Sequence, residues 1–286
     1  MKLASYNIQY GFGLDGRYDL KRIVDSIADA DIVALQEVTR GFARNGGADM
    51  VAEIEALLPD RFTAYGAACD LHLETVVENG RTVSRRFHFG NMILSRWPIL
   101  STRLLLLPRR RTTSKLNLQR GALEAVIDAP GGALRVYSVH LDHTSPDERI
   151  AQIRYLTERV NAYIHEGGSL TGGQEIGAVD PPVAEDYVLM GDFNMVPESP
   201  EYVACAGIED GYYGRVSRVG TPLDALELAG WHRPDTYSWM DPDDRDKRLH
   251  LDYAFISAGL EGRLRSAHVD TDPVGSDHFP VRIEIG

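Results

Sequence analysis

At 286 residues, 43% hydrophobic and 25% charged, the chain has the size and composition of a soluble enzyme with one large core. A net charge of −12 opposes a protein built to neutralise a nucleic-acid duplex, and no apolar run approaches the roughly 18 residues of a membrane span. Two cysteines, Cys69 and Cys205, make neither a disulfide framework nor a Cys-x-x-Cys metal motif.

Lys2 to Gln9 reads as a first strand, with no secretory signal pattern ahead of it, so a cytoplasmic protein is expected. Residues 18–30 follow at helical spacing through Leu20, Ile23, Val24 and Ile27, with Asp19 as the cap. Residues 31–38 are an apolar run ending in Gln36, Glu37 and Val38, the pattern of a buried strand whose end reaches a site. Residues 48–58 are helical and stop at Pro59. Strands are expected at 62–68, 91–95 and 99–107, then at 121–128 and 133–141 around the hairpin signal Ala129-Pro-Gly-Gly132. Residues 146–165 form the longest helix, with Ile150, Ile153, Val160 and Ile164 on one face. Residues 167–186 lack periodicity and read as a surface loop, with a lid over a site as the alternative. A strand opening at Tyr187, short helices at 200–205 and 223–228, and strands at 249–257, 262–269 and 279–285 complete the chain. Strands outnumber helices and hairpins mix with crossovers, which fits two packed sheets flanked by helices better than one doubly wound sheet.

Polar residues recur where these strands end. Gly191-Asp-Phe-Asn194 delivers Asp192 and Asn194 at the close of the apolar Tyr187 run, side by side and suited to activating water beside a phosphate. Asn7 follows the first strand, Glu37 the second, and His140 sits late in residues 134–142. Asp252 is a charge inside an apolar strand and requires a partner, and Ser276-Asp-His278 precedes the last strand. Each alone has a bland reading, such as a turn cap or a core histidine. Six segments showing the pattern together are hard to produce by chance.

Ser5-Tyr-Asn7, Leu35-Gln-Glu-Val38, Val139-His-Leu141, Gly191-Asp-Phe-Asn194, Leu251-Asp-Tyr253 and Ser276-Asp-His278 appear in an order that resembles the endonuclease/exonuclease/phosphatase superfamily of DNase I-like phosphoesterases. The resemblance spans residues 5–278. It implies one domain over residues 1–286, an α/β fold built as a four-layer αββα sandwich of two mixed sheets, and phosphoester hydrolysis with Mg²⁺ or Mn²⁺. Carried over residue by residue, it implies Glu37, Asn7 and Asp277 around the metal, a hard cation that prefers oxygen ligands. Asp192 orients or deprotonates the attacking water, and Asn194 holds a phosphate oxygen or fixes Asp192. His278 is the second catalytic group with Asp252 as its partner. His140 donates to the phosphate or the leaving group. Arg120, in Gln119-Arg-Gly-Ala-Leu123, resembles an arginine of sphingomyelinase-like members and would touch phosphate, with a surface arginine as the alternative. Asn91 resembles a segment beside the cleft. His143 either faces the same pocket or faces solvent, and His88 and His250 are read as structural.

Substrate choice is not carried by these motifs. The acidic balance, His140 and Arg120 lean toward a phosphodiesterase or phosphatase acting on a small or lipid-derived phosphoester, as in the sphingomyelinase-like branch. The first rival is a nuclease on DNA or RNA, with Arg109, Arg110, Arg111, Lys115 and Arg120 as its basic rim. The second is a non-catalytic binding module on the same fold. No partner protein is implied.

Overall fold

Two βαβ units organise the computed structural model, which describes residues 1–231 and 236–286. The first runs from β1 (Lys2–Asn7) through α1 (Leu20–Ile27) to β2 (Ile32–Arg40), which lies parallel to β1. Asp19 caps α1 by accepting the Arg22 N–H, and Leu20, Ile23, Val24 and Ile27 are its buried stripe. Next come α2 (Met50–Leu57), capped by Asp49, and the antiparallel strands β3 (Phe62–Glu78), β4 (Arg81–Ser95), β5 (Ile99–Leu106) and β6 (Gly121–Ala129). The second unit runs from β7 (Gly132–His140) through α3 (Pro146–Glu166) to β8 (Tyr187–Asp192), parallel to β7. The remaining elements are α4 (Pro200–Ala206), β9 (Leu223–Asp224), α5 (Ala225–Leu228), β10 (Trp239–Met240), β11 (Arg248–Leu249), β12 (Asp252–Ile256), β13 (Leu264–Val269) and β14 (Val281–Ile285).

Two mixed six-stranded sheets result, ordered β13-β14-β1-β2-β4-β3 and β5-β6-β7-β8-β12-β9, each with its parallel pair at the centre. The sheets pack face to face over a core that includes Ile32, Ile93, Leu123, Val136, Met190 and Val281. α1 and α2 cover the outer face of the first sheet, and α3 and α4 cover that of the second. This is the expected αββα sandwich. No helix among the described residues is long and apolar enough to cross a membrane.

Parallel strands within two crossovers fix where chemistry can sit, because a pocket opens at their carboxyl ends. β1, β2, β7 and β8 all finish at one edge of the sandwich, and the two sheets are tied together just beneath it. Gln36 donates to Ser138 (2.9 Å), Ser138 donates to the Leu35 carbonyl (2.9 Å), and Asn91 donates to the carbonyls of Ser138 (2.6 Å) and Gly121 (3.0 Å). Asn91 is thus a buried tie between the sheets.

One strand pair departs from expectation. β3 and β4 are far longer than 62–68 and 91–95: they continue as a twisted arm closed by Asn79-Gly80, both with positive φ (51° and 75°). The arm is exposed on both faces over much of its length, so it lacks the apolar alternation that reveals a half-buried strand. Residues 167–186 are a surface loop with one short 3₁₀ turn, Gly173–Ile176, and not a lid. They join the end of α3 to the start of β8, so they enter at the edge opposite the site.

Gly191 is required by close approach. A Cβ there would lie 1.9 Å from the Val139 carbonyl oxygen, on the adjacent parallel strand. Gly191→Ala is expected to destabilise the protein by about 1–3 kcal/mol, toward the upper end because the obstacle is backbone. A urea midpoint unchanged from wild type would contradict this.

Candidate active site

Strand pairing brings the polar ends together. His140 closes β7 opposite Asp192 at the end of β8, and Asp252 opens β12 opposite Asp192 on its other side. Asp192 therefore stands in a row of three on the second sheet. β1 supplies Asn7 from the first sheet, and its amide donates to Asp192 Oδ2 at 3.0 Å. The Asn194 backbone N–H donates to the other oxygen, Oδ1, at 2.9 Å, which follows from Asn194 turning back in the left-handed region (φ 49°). The Asn194 side chain is tied to the Leu141 carbonyl at 3.1 Å.

His278 reaches this row from the segment before β14. Its Nδ1 lies 2.8 Å from Asp252 Oδ2, and its Nε2 lies 3.8 Å from Asp192 Oδ2. Ser238 holds Asp252 from behind: its hydroxyl donates to Oδ2 at 2.7 Å and accepts the backbone N–H of Asp252 and of Leu251. Burial alone would push the His278 imidazole down. The carboxylates of Asp252 and Asp192 more than reverse this and hold it well above the usual histidine range. The opposite holds for His140, kept neutral by burial and by the Arg120 guanidinium, whose Nη1 lies 2.7 Å from His140 Nε2. The 3.4 Å contact between His140 and Asp192 is accordingly that of a neutral ring, not an ion pair. Arg120 also reaches His143 Nδ1 at 2.8 Å, so His143 faces the pocket.

Two further carboxylates face the same cleft. Glu37 sits at a β-bulge, where the β2–β4 register shifts between Leu35 and Val38, and it carries φ 62°. The bulge turns its side chain off the strand's alternation and into the cleft. Among the described residues Glu37 has no hydrogen-bond partner, and burial, then the nearby Asp277 carboxylate, raise its pKa to about 7. Asp277 is held by Gln9 Nε2 (2.9 Å) and Trp239 Nε1 (3.2 Å), both donating to Oδ2. An unpartnered carboxylate and an oriented second one are the oxygen donors that a hard divalent cation takes. The ligand atoms of Asp192, Asp252 and His278 also lie within 4.8 Å of one another, close enough to share an ion, although His278 Nδ1 and Asp252 Oδ2 are already engaged with each other.

Glu37, Arg120, His140, Asp192, Asn194, Asp277 and His278 line one cleft of about 520 Å³. Asn7 and Asp252 lie behind it, each against a residue that lines it. Gln9, Tyr10, Ser238 and Trp239 were missed by the sequence reading. Ser238 and Trp239 reach the site through β10 and an isolated bridge between Trp239 and His278, which no local spacing marks. His250 is buried against the Tyr253 ring (4.5 Å between centroids), His88 pairs with Asp70 at 3.0 Å, and neither lines the cleft. Arg109 is held by Asn117, and Arg109 to Arg111 and Lys115 are exposed and do not line the cleft.

No curated protein matches the chain in sequence. Solved structures do match in fold. An endonuclease/exonuclease/phosphatase from Beutenbergia cavernae is 22% identical, with a TM-score of 0.65, covering 100% of this chain and 72% of that one. A mannosyl-6-phosphatase from Bacteroides thetaiotaomicron is 18% identical at a TM-score of 0.65, over 100% and 99%. A 3′ phosphatase from Neisseria, bound to a product DNA hairpin, is 18% identical at a TM-score of 0.59, over 100% and 99%. The sequence profile of the Endonuclease/Exonuclease/phosphatase family matches residues 4–278. The chain belongs to that family of phosphoester hydrolases.

Proposed function

We propose that the protein is a divalent-metal-dependent hydrolase of small organic phosphoesters. The observation that carries this is His278, charged between Asp252 and Asp192, facing the Glu37 and Asp277 carboxylates across one cleft. Glu37 and Asp277 would hold Mg²⁺ or Mn²⁺, which when bound supplies polarisation of a phosphoryl oxygen and neutralisation of charge. Asp192, fixed by Asn7 and the Asn194 backbone, is the acceptor that orients the attacking water and takes its proton. His278 presents Nε2–H toward the reacting phosphoryl group, while Asp252 and Ser238 keep its tautomer and orientation. Arg120 anchors phosphate and holds His140 neutral beside it.

The cleft wall favours a small substrate over a duplex. Leu116, Leu118, Met195, Val196, Leu249 and Leu251 line it, and the two guanidinium groups among its described lining residues are committed, Arg120 to a single phosphate beside His140 and Arg149 to Glu201. A duplex needs a row of free cations along its phosphates.

The test is a substrate panel with Mg²⁺ and with chelator: p-nitrophenyl phosphate, bis-p-nitrophenyl phosphate, sugar phosphates, phospholipid headgroup esters and plasmid DNA. Hydrolysis of small esters, abolished by chelator, is expected. Strong plasmid nicking that disappears in Asp192→Ala would replace this reading with a nuclease. Inactivity on the whole panel without metal binding would point to a binding module.

A further inference from the structure

The cleft does not end at the phosphate machinery. Arg149 of α3 and Glu201 and Ser199 at the start of α4 also line it. Arg149 is 9% exposed and Glu201 3% exposed, so this is a charged pair taken almost wholly out of water. Arg149 directs Nε (2.9 Å) and Nη2 (2.6 Å) at the same oxygen, Glu201 Oε1, and sends Nη1 to the Asp142 carbonyl (3.2 Å). The second oxygen, Oε2, meets no donor among the described residues, yet it is not sealed away from solvent. A carboxylate oxygen left unpaired in so buried a side chain is costly unless something in the cleft donates to it.

Backbone continuity places this pair beside the catalytic residues. Asn194 is tied to the Leu141 carbonyl and Arg149 to the carbonyl of the next residue, Asp142. Charge narrows the class of ligand. The guanidinium already balances the carboxylate, so an ammonium gains little there and a second anion would meet Oε2 directly. A neutral hydroxyl is the donor that suits it, with the Ser199 hydroxyl, which also borders the cleft, as neighbour.

We infer that Glu201, held by Arg149, is a specificity-determining acceptor for a hydroxyl group on the organic portion of the substrate, so that the preferred substrates are polyol or sugar phosphates. This deepens the hydrolase reading and rests on it for the placement of the phosphate. The bland alternative is an ion pair that only joins α3 to α4.

Uncleavable phosphonates separate these possibilities by binding alone. Calorimetry on the full chain with Mg²⁺ would compare dihydroxypropyl and hexitol phosphonates, each with its alkyl counterpart, propyl or hexyl phosphonate. The better polyol compound is expected to bind about 10–100-fold more tightly than its alkyl partner, the range for a hydrogen bond to a charged acceptor. In Glu201→Gln the carbonyl can still accept from Arg149 while the amide replaces Oε2 with a donor, so the preference should disappear and alkyl binding should persist. Equal binding of polyol and alkyl compounds by wild type overturns the inference and needs no variant. A preference that survives in a folded Glu201→Gln overturns it too. If small esters are hydrolysed but no polyol preference exists, the subsite fails and the hydrolase stands. If the preference exists and depends on Glu201 but no ester is hydrolysed, the hydrolase reading fails and the subsite stands.

Discussion

Replacing His278 by alanine is expected to lower kcat by about 10²–10⁴-fold on the best small ester, the usual worth of a positioned proton-transfer group. Metal affinity should stay near wild type. The reasoning is local. Burial would strip the charge from this imidazole, and the Asp252 and Asp192 carboxylates restore it. The Ser238 hydroxyl holds Asp252 in place by donating to its carboxylate and accepting its backbone N–H, and it also accepts that of Leu251. Without the ring, Asp192 and Asp252 face each other across adjacent strands with no cation between them, and the stabilising charge near the phosphoryl group is gone. Glu37 and Asp277 do not depend on His278 for their hydrogen bonds: Asp277 is held by Gln9 and Trp239. His278→Gln fills the volume and separates lost chemistry from lost packing. Asp252→Asn should lower kcat in the same direction, and the double variant should lose much less than the product of the two, because the pair acts as a unit. Steady-state kinetics at saturating Mg²⁺, with calorimetry for the metal, checks each part. Near wild-type turnover in His278→Gln on every active substrate would remove His278 from the mechanism.

The residues that the sequence made legible share one property. Asn7, His140 and Asp192 stand at the ends of parallel strands, where an apolar run stops and a polar residue follows, so the local pattern marks them; Glu37 was expected to end its strand, but β2 runs on to Arg40 and Glu37 follows the last parallel pair, Asn7–Gln36. Asp252 was marked by its cost, a charge in an apolar strand, and the structure supplies the partners that cost demanded. Ser238, Trp239, Gln9 and the Arg149–Glu201 pair carry no such mark. They arrive by tertiary approach from a two-residue strand, a 3₁₀ turn and two helix starts, and nothing in spacing distinguishes them from surface polar residues. The β3–β4 arm was missed, although the Asn79-Gly80 that closes it is a strong hairpin signal. Its strands are solvated on both faces, and periodicity is silent there. Glu37 shows the limit most clearly. Its place in the strand was evident, but the bulge that redirects it was not, because a bulge answers to the partner strand and not to the sequence of its own.

That bulge underlies the second large effect. Glu37→Gln is expected to weaken divalent-metal affinity by at least about 100-fold, since even residues behind a metal ligand typically account for about 10–100-fold. Activity at low metal should collapse and return in part when Mg²⁺ or Mn²⁺ is raised. Stability of the metal-free protein should move the other way. The Glu37 carboxyl is raised from 4.5 to about 7, by burial first and then by Asp277, so its ionised form is a burden that the fold carries in the absence of a cation. A raised folded-state pKa means that wild type loses stability as pH climbs from about 4.5 to about 7, while the glutamine variant has no such group to ionise. With chelator present, Glu37→Gln should therefore have the higher Tm at pH 8, and the gap should close as pH falls below 5. Added metal should reverse the order at pH 8, because wild type alone then gains binding free energy. A variant that is less stable than wild type in chelator at pH 8, yet binds metal as tightly, would show that Glu37 is a structural acid and that the cation is held elsewhere, with Asp192, Asp252 and His278 the next set to test. The strained backbone at Glu37 (φ 62°) argues for the first outcome, since a fold keeps an unpartnered acid in the left-handed region only where that acid has a use.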